Sequence, residues 1–379
     1  MESSPLFIAL DASSTSVRVV IFHQDGQPLS QGRCGLDVLA VGEHGFEQDA
    51  LSWWTASKAA LQLALQPLSL SQKQALVSLT ILHQRETVVV TDAVGTPLAP
   101  AIMWKDDRCR QELKVAERRV GRVRLHTLSG KPVSTTPSLY KLMYLLKERP
   151  ELRDVAHIHD VHSFLSLKLT GRAVASFPSA DATGMLDMRK KTWADSLIDL
   201  IGTERHQLPE LVEVGYLIGP LTPKALLETG LPNHLLIYAG SGDAQAAGLG
   251  AGIIEQGHAF AEIGTALTCG VHTETYEVDE AFRTLFAAIP GLYCCETTVR
   301  SGMSTLYWLV EKVLASEDRL PRMKELEEEA LQLPAGSQGL VALPYWSGVM
   351  NPFWDETARG VFLGLNAEHS PAHLFRALL

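Results

Sequence analysis

The residues best placed to do chemistry sit in a stretch of small side chains, Ala239-Gly-Ser-Gly-Asp-Ala-Gln-Ala-Ala-Gly-Leu-Gly-Ala-Gly252, directly behind the apolar run Leu235-Leu-Ile-Tyr238. The pattern predicts a buried strand, a tight glycine turn and a helix, with Asp243 exposed at the turn where a ligand can reach it. An acid there is either a helix cap, a role worth about 0.5–2 kcal/mol, or a catalytic base. Dinucleotide binding fits poorly, because Gln245 stands where that fingerprint wants its third glycine.

A second cluster, Asp11-Ala-Ser-Ser-Thr-Ser16, reads as a small polar turn between the strand-like runs Leu6-Phe-Ile-Ala-Leu10 and Val17-Arg-Val-Val-Ile-Phe22. Such a hairpin tip brings amides and hydroxyls close to a phosphate, and Asp11 offers the hard oxygen that a hydrated magnesium ion takes. An ordinary Ser/Thr-rich turn is the other reading. The chain has no Walker A sequence, so any phosphate cradle here is of the hairpin type. Arg85, Glu86, Trp104 and Asp106 form a third set, suited to a polyol: charged groups pair with hydroxyls while an indole face covers the carbon chain. Surface ion pairs around a core tryptophan would use the same residues.

Apolar spacing supplies the elements that must hold these clusters. Residues 48–65 read as a helix with Trp53 and Trp54 in the core, and 75–82 and 87–91 as strands flanking His83-Gln-Arg-Glu86, which faces solvent or a cleft. Residues 101–104 are a short strand; 138–148, 160–170, 193–201, 301–314 and 321–333 are helices. Residues 176–187 read as a polar loop and 212–223 as a crossover segment. Ala259-Phe-Ala-Glu-Ile263, Gly264-Thr-Ala266 and Leu267-Thr-Cys-Gly-Val271 repeat the opening strand, turn and strand. Two such hairpins suggest duplicated domains facing each other across a cleft, each offering amides and hydroxyls to a nucleotide; two unrelated hairpins are the alternative. The junction falls near 248–257.

Composition narrows the partners. With 379 residues, 46% hydrophobic and 20% charged, the chain is of ordinary globular make-up and long enough for two or three domains. A formal charge of −10 argues against nucleic acid and anionic membranes and favours a small molecule. Five cysteines without C-x-x-C spacing fit a reducing cytosol, and neither a signal peptide nor a membrane-length apolar run is visible. A cytoplasmic location is expected.

Taken together, the residues resemble the FGGY carbohydrate kinase family, which includes glycerol kinases and pentulose kinases such as xylulokinase. Pro352-Phe-Trp-Asp355, Ala358-Arg-Gly360 and Gly360-Val-Phe-Leu-Gly-Leu365, followed by His373-Leu374 and Ala377-Leu-Leu379, are similar to its second signature. Thr136-Pro-Ser138 with Lys141-Leu142 and Lys147-Glu148 is similar to the first, with Tyr144 where tryptophan is usual. Asp11 with Ser14-Thr-Ser16 and Arg18 resembles the first phosphate motif, Gly264-Thr265 the second, and Gly242-Asp243 with Gln245 the catalytic segment.

The resemblance implies an α/β fold of two actin-like, ribonuclease H-type domains around a central cleft that closes over ATP and a sugar. It puts sugar binding, the first phosphate motif and the catalytic acid in residues 1–250, and the second phosphate motif in a partial domain, 251–379. Asp243 becomes the general base. Ser14, Thr15, Ser16, Arg18, Gly264 and Thr265 would meet the ATP phosphates; Gln84, Arg85, Glu86, Trp104, Asp106, Asp243 and Gln245 the sugar; Asp11 and Asp243 a Mg2+ ion. The expected partners are ATP and a small sugar or polyol, with no nucleic acid and no membrane, and a homodimer stands as an open assembly. Gln84-Arg85-Glu86 with Trp104 resembles the glycerol kinase pattern, whereas Trp104-Lys-Asp-Asp-Arg108-Cys109, Pro290-Gly-Leu-Tyr293 and Arg300-Ser-Gly302 look closer to xylulokinases, so a pentulose such as xylulose is favoured. Ser13 replaces a usual glycine in the first phosphate motif, and the chain ends at Leu379 where the signature would continue with an acid. The second domain is therefore expected to be incomplete, without the glycine-rich adenosine loop, and a truncated, non-catalytic sugar-binding pseudokinase is the competing reading. An actin-like ATPase of the chaperone type would share the paired hairpins, but the polyol set argues against it.

Overall fold

The computed structural model describes residues 4–154, 156–264 and 266–379. They divide into two compact units, the first running to Gln256 and taking in His272–Val278 and Thr284–Cys294, the second made of Gly257–Val271, Asp279–Arg283 and Cys295–Leu379.

Alternation of apolar and polar residues builds the first unit's main sheet: Leu6, Ile8, Leu10 and Ala12 are buried on one strand and Val17, Val19 and Ile21 on the next. Its six strands lie in the order Leu217–Pro220, Leu236–Tyr238, Leu76–His83, Leu6–Ala12, Ser16–Phe22 and Pro28–Gly35. The strands Leu236–Tyr238, Leu76–His83 and Leu6–Ala12 are mutually parallel, and the outer pairings are antiparallel. Helix Ala50–Leu65 starts where the Asp49 carboxylate accepts the Leu51 amide, and buries Ala56, Ala60, Ala64 and Trp53. Trp53 meets Phe164 edge-on, ring centroids 5.6 Å apart.

A second sheet in this unit joins Leu39–Val41, Gly45–Gln48, Ala101–Ile102, Val88–Thr91 and His157–Asp160 in that order. Helix Ser138–Glu148 buries Leu139, Leu142, Met143 and Leu146 as its spacing predicts, and its fully buried Lys141 is satisfied by the Thr135 and Thr136 carbonyls. Helix Val161–Thr170 is capped by Asp160 and closed by Gly171 at φ +75°.

Ala259–Ile263 and Leu267–Thr273 pair antiparallel and start a four-stranded sheet continued by Tyr293–Val299 and Arg283–Phe286. Helix Arg319–Leu331 and helix Pro371–Leu378 enclose a small core with Leu306, Leu309 and Val310. The acidic face of the former is solvated, as its charge run suggests.

Four expectations are corrected, and one alternative is decided. Asp11 and Ala12 belong to the first strand, so the polar turn is only 13–15. The 176–187 segment is no polar loop: it contains the short helix Phe177–Ala180 and the turn Asp181–Thr183, nearly all buried, because its hydroxyls find partners inside, Ser176 in the Gly240 carbonyl, Ser179 in Asp160 and Thr183 in the Ala180 carbonyl. Of the two settings open to His83-Gln-Arg-Glu86, burial excludes solvent. The 212–223 segment holds an edge strand, Leu217–Pro220, antiparallel to its neighbour. The 301–314 helix is α only over Met303–Trp308 and then widens into a π-turn, Leu309–Val313.

A methyl group on Gly240 would lie 1.9 Å from the Ile81 carbonyl oxygen. Gly240→Ala is therefore expected to destabilise the first unit by about 3 kcal/mol or more, read as a lowered midpoint in urea unfolding.

Candidate functional site

Open α/β sheets bind ligands at the carboxyl ends of their parallel strands. Here Ala12 pairs with His83, and His83 bridges Gly242, so the segments that leave all three parallel strands begin side by side. Those segments carry the 13–15 turn, Gln84-Arg85-Glu86 and Gly242-Asp243.

Asp243 is the first residue of helix Asp243–Gly250, and Gly242, which has no side chain, occupies the cap position. Its Oδ1 accepts the Ala244 amide at 2.9 Å and lies 3.4 Å from Arg85 Nε. The Asp243 side chain is 45% exposed and that of Arg85 8%. The carboxyl thus lies part-exposed beside a buried guanidinium, and desolvation holds its pKa above the usual carboxylate value against the opposing pull of Arg85 and His83. Any Cβ on Gly242 would strike the Arg85 side chain at 2.5 Å, which is how closely the arginine is laid against the turn. Gln245 donates Nε2 to the Pro178 carbonyl at 2.9 Å, while its buried Oε1 has no hydrogen-bond partner.

The hydroxyls of the first hairpin are not equivalent. Ser14 Oγ donates to Gln84 Oε1 at 3.1 Å and accepts Trp104 Nε1 at 2.9 Å, so it turns inward to the polyol set instead of outward. Ser16 is buried and accepts Arg33 Nε, Thr15 is exposed, and Arg18 is exposed with Nη2 2.8 Å from Gln31. Arg18 stands directly opposite Asp11 across the strand pair, which puts both side chains on one face.

Gln84 and Asp106 both have their side-chain polar atoms engaged by neighbours. Gln84 gives Nε2 to Gln48 and takes Ser14 and Thr87 on Oε1. Asp106 is buried and accepts the Phe46 amide and the Arg108 amide and guanidinium, at 2.9–3.1 Å. In the second unit the Gly264 amide donates to the Ala266 carbonyl at 2.9 Å; Thr265 lies outside the described residues.

Sequence reasoning missed Asp181. It is fully buried, accepts the Phe286 amide on Oδ2, and leaves Oδ1 without a hydrogen-bond partner. Burial pushes its carboxyl up to about 6, against the opposing pull of Lys131 and Arg85, with Glu86 adding to the rise. Only its place among apolar residues such as Phe177, Ala180 and Met185 could have signalled an interior acid.

Comparison with known proteins fits this geometry. Models of the N-terminal and C-terminal domains of the FGGY family of carbohydrate kinases match residues 6–250 and 259–379. The chain is 28% identical over 378 residues to xylulose kinase of Escherichia coli K12, covering 99% of this chain and 76% of that protein. It is 28% identical over 394 residues to glycerol kinase of Thermococcus onnurineus, covering 98% and 75%. A crystal structure of xylulose kinase from Rhodospirillum rubrum superposes with a TM-score of 0.90 at 26% identity, covering 98% of this chain and 75% of that one. Fold and matched domains define a phosphotransferase of the actin-like α/β class, acting on a carbohydrate hydroxyl with ATP as phosphoryl donor. The chain belongs to the FGGY family of carbohydrate kinases.

Because the Asp181 carboxyl titrates higher in the folded protein than its ordinary 3.8, the native state holds the extra proton between about pH 4 and 6, and wild-type stability falls as pH rises through that window. Asp181→Asn keeps an acceptor for Phe286 without the charge. It should be more stable than wild type at pH 7, by up to about 3 kcal/mol, and match it near pH 4 in urea unfolding at the two pH values.

Proposed function

We propose that the chain transfers the γ-phosphoryl group of ATP to a hydroxyl of a pentulose, with D-xylulose the preferred acceptor. One observation carries the chemical part: an Asp243 carboxylate held 3.4 Å from a buried Arg85, at the point where three parallel strands end together. The xylulose kinases of Escherichia coli and Rhodospirillum rubrum support the choice of sugar.

Asp243 accepts the proton of the attacking hydroxyl as the oxygen reaches for phosphorus. Arg85 and Glu86 orient the sugar hydroxyls, Trp104 covers the carbon chain, and the open acceptor of Gln245 takes a further hydroxyl. Gln84 and Asp106 act at one remove, holding Ser14, Trp104 and Arg108 in place. Ser14, Thr15, Ser16 and Arg18 belong to the phosphate side, with Gly264 and Thr265 from the second hairpin. Sugar binding and proton transfer then fall to residues 1–250 and the second phosphate motif to 251–379.

Among the described residues no cluster of three or more acids, histidines or cysteines gathers, so the donor set fits an ion that keeps its waters better than one caged by protein. Asp11 and Asp243 would hold Mg2+ in that manner. When bound, the ion neutralises charge on the ATP phosphates. The five free cysteines fit a cytoplasmic setting, and among the described residues no helix is long and apolar enough to cross a membrane.

The Arg85-Glu86 pair and the likeness to the Thermococcus glycerol kinase favour glycerol as a second reading. The test is ADP release with Mg-ATP and D-xylulose, D-ribulose, L-ribulose, erythritol or glycerol. D-Xylulose should give the highest kcat/KM, and Asp243→Asn should lower kcat by about 10²–10⁴-fold. Preference for glycerol would overturn the pentulose assignment, and folded protein that turns over none of them would overturn the kinase reading.

A further inference from the structure

Behind the Arg85 and Asp243 turns lie three buried polar residues that the mechanism above does not use. His83 Nδ1 is 2.6 Å from the Gln84 carbonyl oxygen, and His83 Nε2 is 2.7 Å from Ser179 Oγ. Ser179 Oγ donates to Asp160 Oδ2, and Asp160 Oδ1 accepts the Ser163 amide at 2.7 Å. His83 is wholly buried, Ser179 and Asp160 nearly so.

The protons can be counted. A carbonyl oxygen only accepts, so Nδ1 carries a hydrogen. Ser179 gives its single hydrogen to Asp160 Oδ2 and also meets His83 Nε2, so one hydroxyl links the ring to the carboxylate. The neighbouring His162, 5.9 Å away ring to ring, differs: Nδ1 faces the Val174 carbonyl and Nε2 accepts the Gly240 amide, which fixes a neutral ring.

Serine, histidine and aspartate here are not a nucleophilic relay. In such a relay the imidazole stands between serine and carboxylate. Here the serine stands between, and its hydroxyl faces inward.

His83 sits instead at the junction of both functional turns. It ends strand Leu76–His83, pairs with Ala12 and bridges Gly242. Its Nδ1 hydrogen bond draws the Gln84 carbonyl inward just where the chain must reverse to present Arg85 and Glu86. Glu86 has φ +57°, a left-handed conformation that a residue with a side chain adopts only when its surroundings impose it. Gln84 is pinned on its other side too, its amide donating to the Ala12 carbonyl at 2.9 Å.

We propose that His83, anchored through Ser179 to Asp160, is a positioning residue for the sugar: it holds the Gln84-Arg85-Glu86 turn in register with Gly242-Asp243. The proposal rests on the kinase reading and concerns sugar recognition rather than ATP.

The test compares His83→Leu, His83→Asn and Ser179→Ala in the full chain, measuring KM for D-xylulose and for ATP, kcat, calorimetric sugar affinity and melting temperature. Loss of the buried hydrogen bond that holds the Gln84 carbonyl should raise the sugar KM and Kd about tenfold or more in His83→Leu, with the ATP KM within about twofold of wild type. His83→Asn keeps a donor for the Gln84 carbonyl and should recover most of the loss, and Ser179→Ala should fall between. Unchanged sugar KM in folded His83→Leu overturns the proposal. Should that variant fail to fold, unchanged sugar affinity in Ser179→Ala does the same. Parallel losses in both KM values, kcat and melting temperature without rescue by asparagine would mark a merely structural role. Absence of sugar-dependent turnover in wild type is a different result, defeating the kinase reading; calorimetry then still reports whether His83 positions a sugar.

Discussion

The backbone of the 239–242 turn lies against strand Leu76–His83 with no room for a side chain between them, and the functional arrangement depends on that contact. Gly240 sits under the Ile81 carbonyl, and the side chain of Arg85 fills the space that a Cβ on Gly242 would need. A buried turn must still satisfy its polar backbone groups. The Ser176 hydroxyl donates to the Gly240 carbonyl at 2.6 Å and His162 Nε2 accepts the Gly240 amide at 3.1 Å. Close approach sets the register of Gly242 against His83, and that register delivers Asp243 to Arg85.

A second constraint is a ladder of buried amides and hydroxyls beneath the first hairpin. Trp53 Nε1 donates to Gln48 Oε1, which also accepts Gln84 Nε2; Gln84 Oε1 takes Ser14 Oγ, which in turn accepts Trp104 Nε1. Each polar atom in such a chain would cost about 1–3 kcal/mol if left unpaired in the core, so the chain is all-or-none. The core tryptophan of helix Ala50–Leu65 is thereby tied to the tryptophan expected over the sugar. Movement of the hairpin tip cannot be independent of the polyol set.

What could be read from the sequence was what local spacing dictates. The strand, turn and helix around Asp243, the paired hairpins and helix Ser138–Glu148 rest on period and turn chemistry, which act over a few residues. The interior of the site rests on partners far along the chain. A run such as His83-Gln-Arg-Glu86 suits solvent or a cleft until Gln48, Ser179 and Asp243 supply its partners from 36, 96 and 158 positions away. Asp106 reads as a ligand for hydroxyls for the same reason: nothing local shows that the Phe46 amide and Arg108 already occupy its oxygens. The 176–187 segment reads as a loop because serine and threonine favour turns through local backbone bonds, whereas Ser176 and Ser179 here find partners far along the chain, in Gly240 and in Asp160 and His83.

Arg85 makes the electrostatics of the two acids intelligible. Both Asp181 and Asp243 lie within its influence, and in both, desolvation outweighs the attraction, so that each carboxyl titrates above its ordinary value. The two outcomes differ in use. Asp181 is sealed in the core, where a raised value is only a cost to the folded state at neutral pH. Asp243 is part-exposed, where the same displacement makes the carboxylate a stronger proton acceptor while the attraction of Arg85 favours its charged form. A base for an alcohol needs both properties at once. Setting the acid half in solvent against a buried guanidinium satisfies them with one residue pair, and the glycines on either side of Ser241 are what let that pair form.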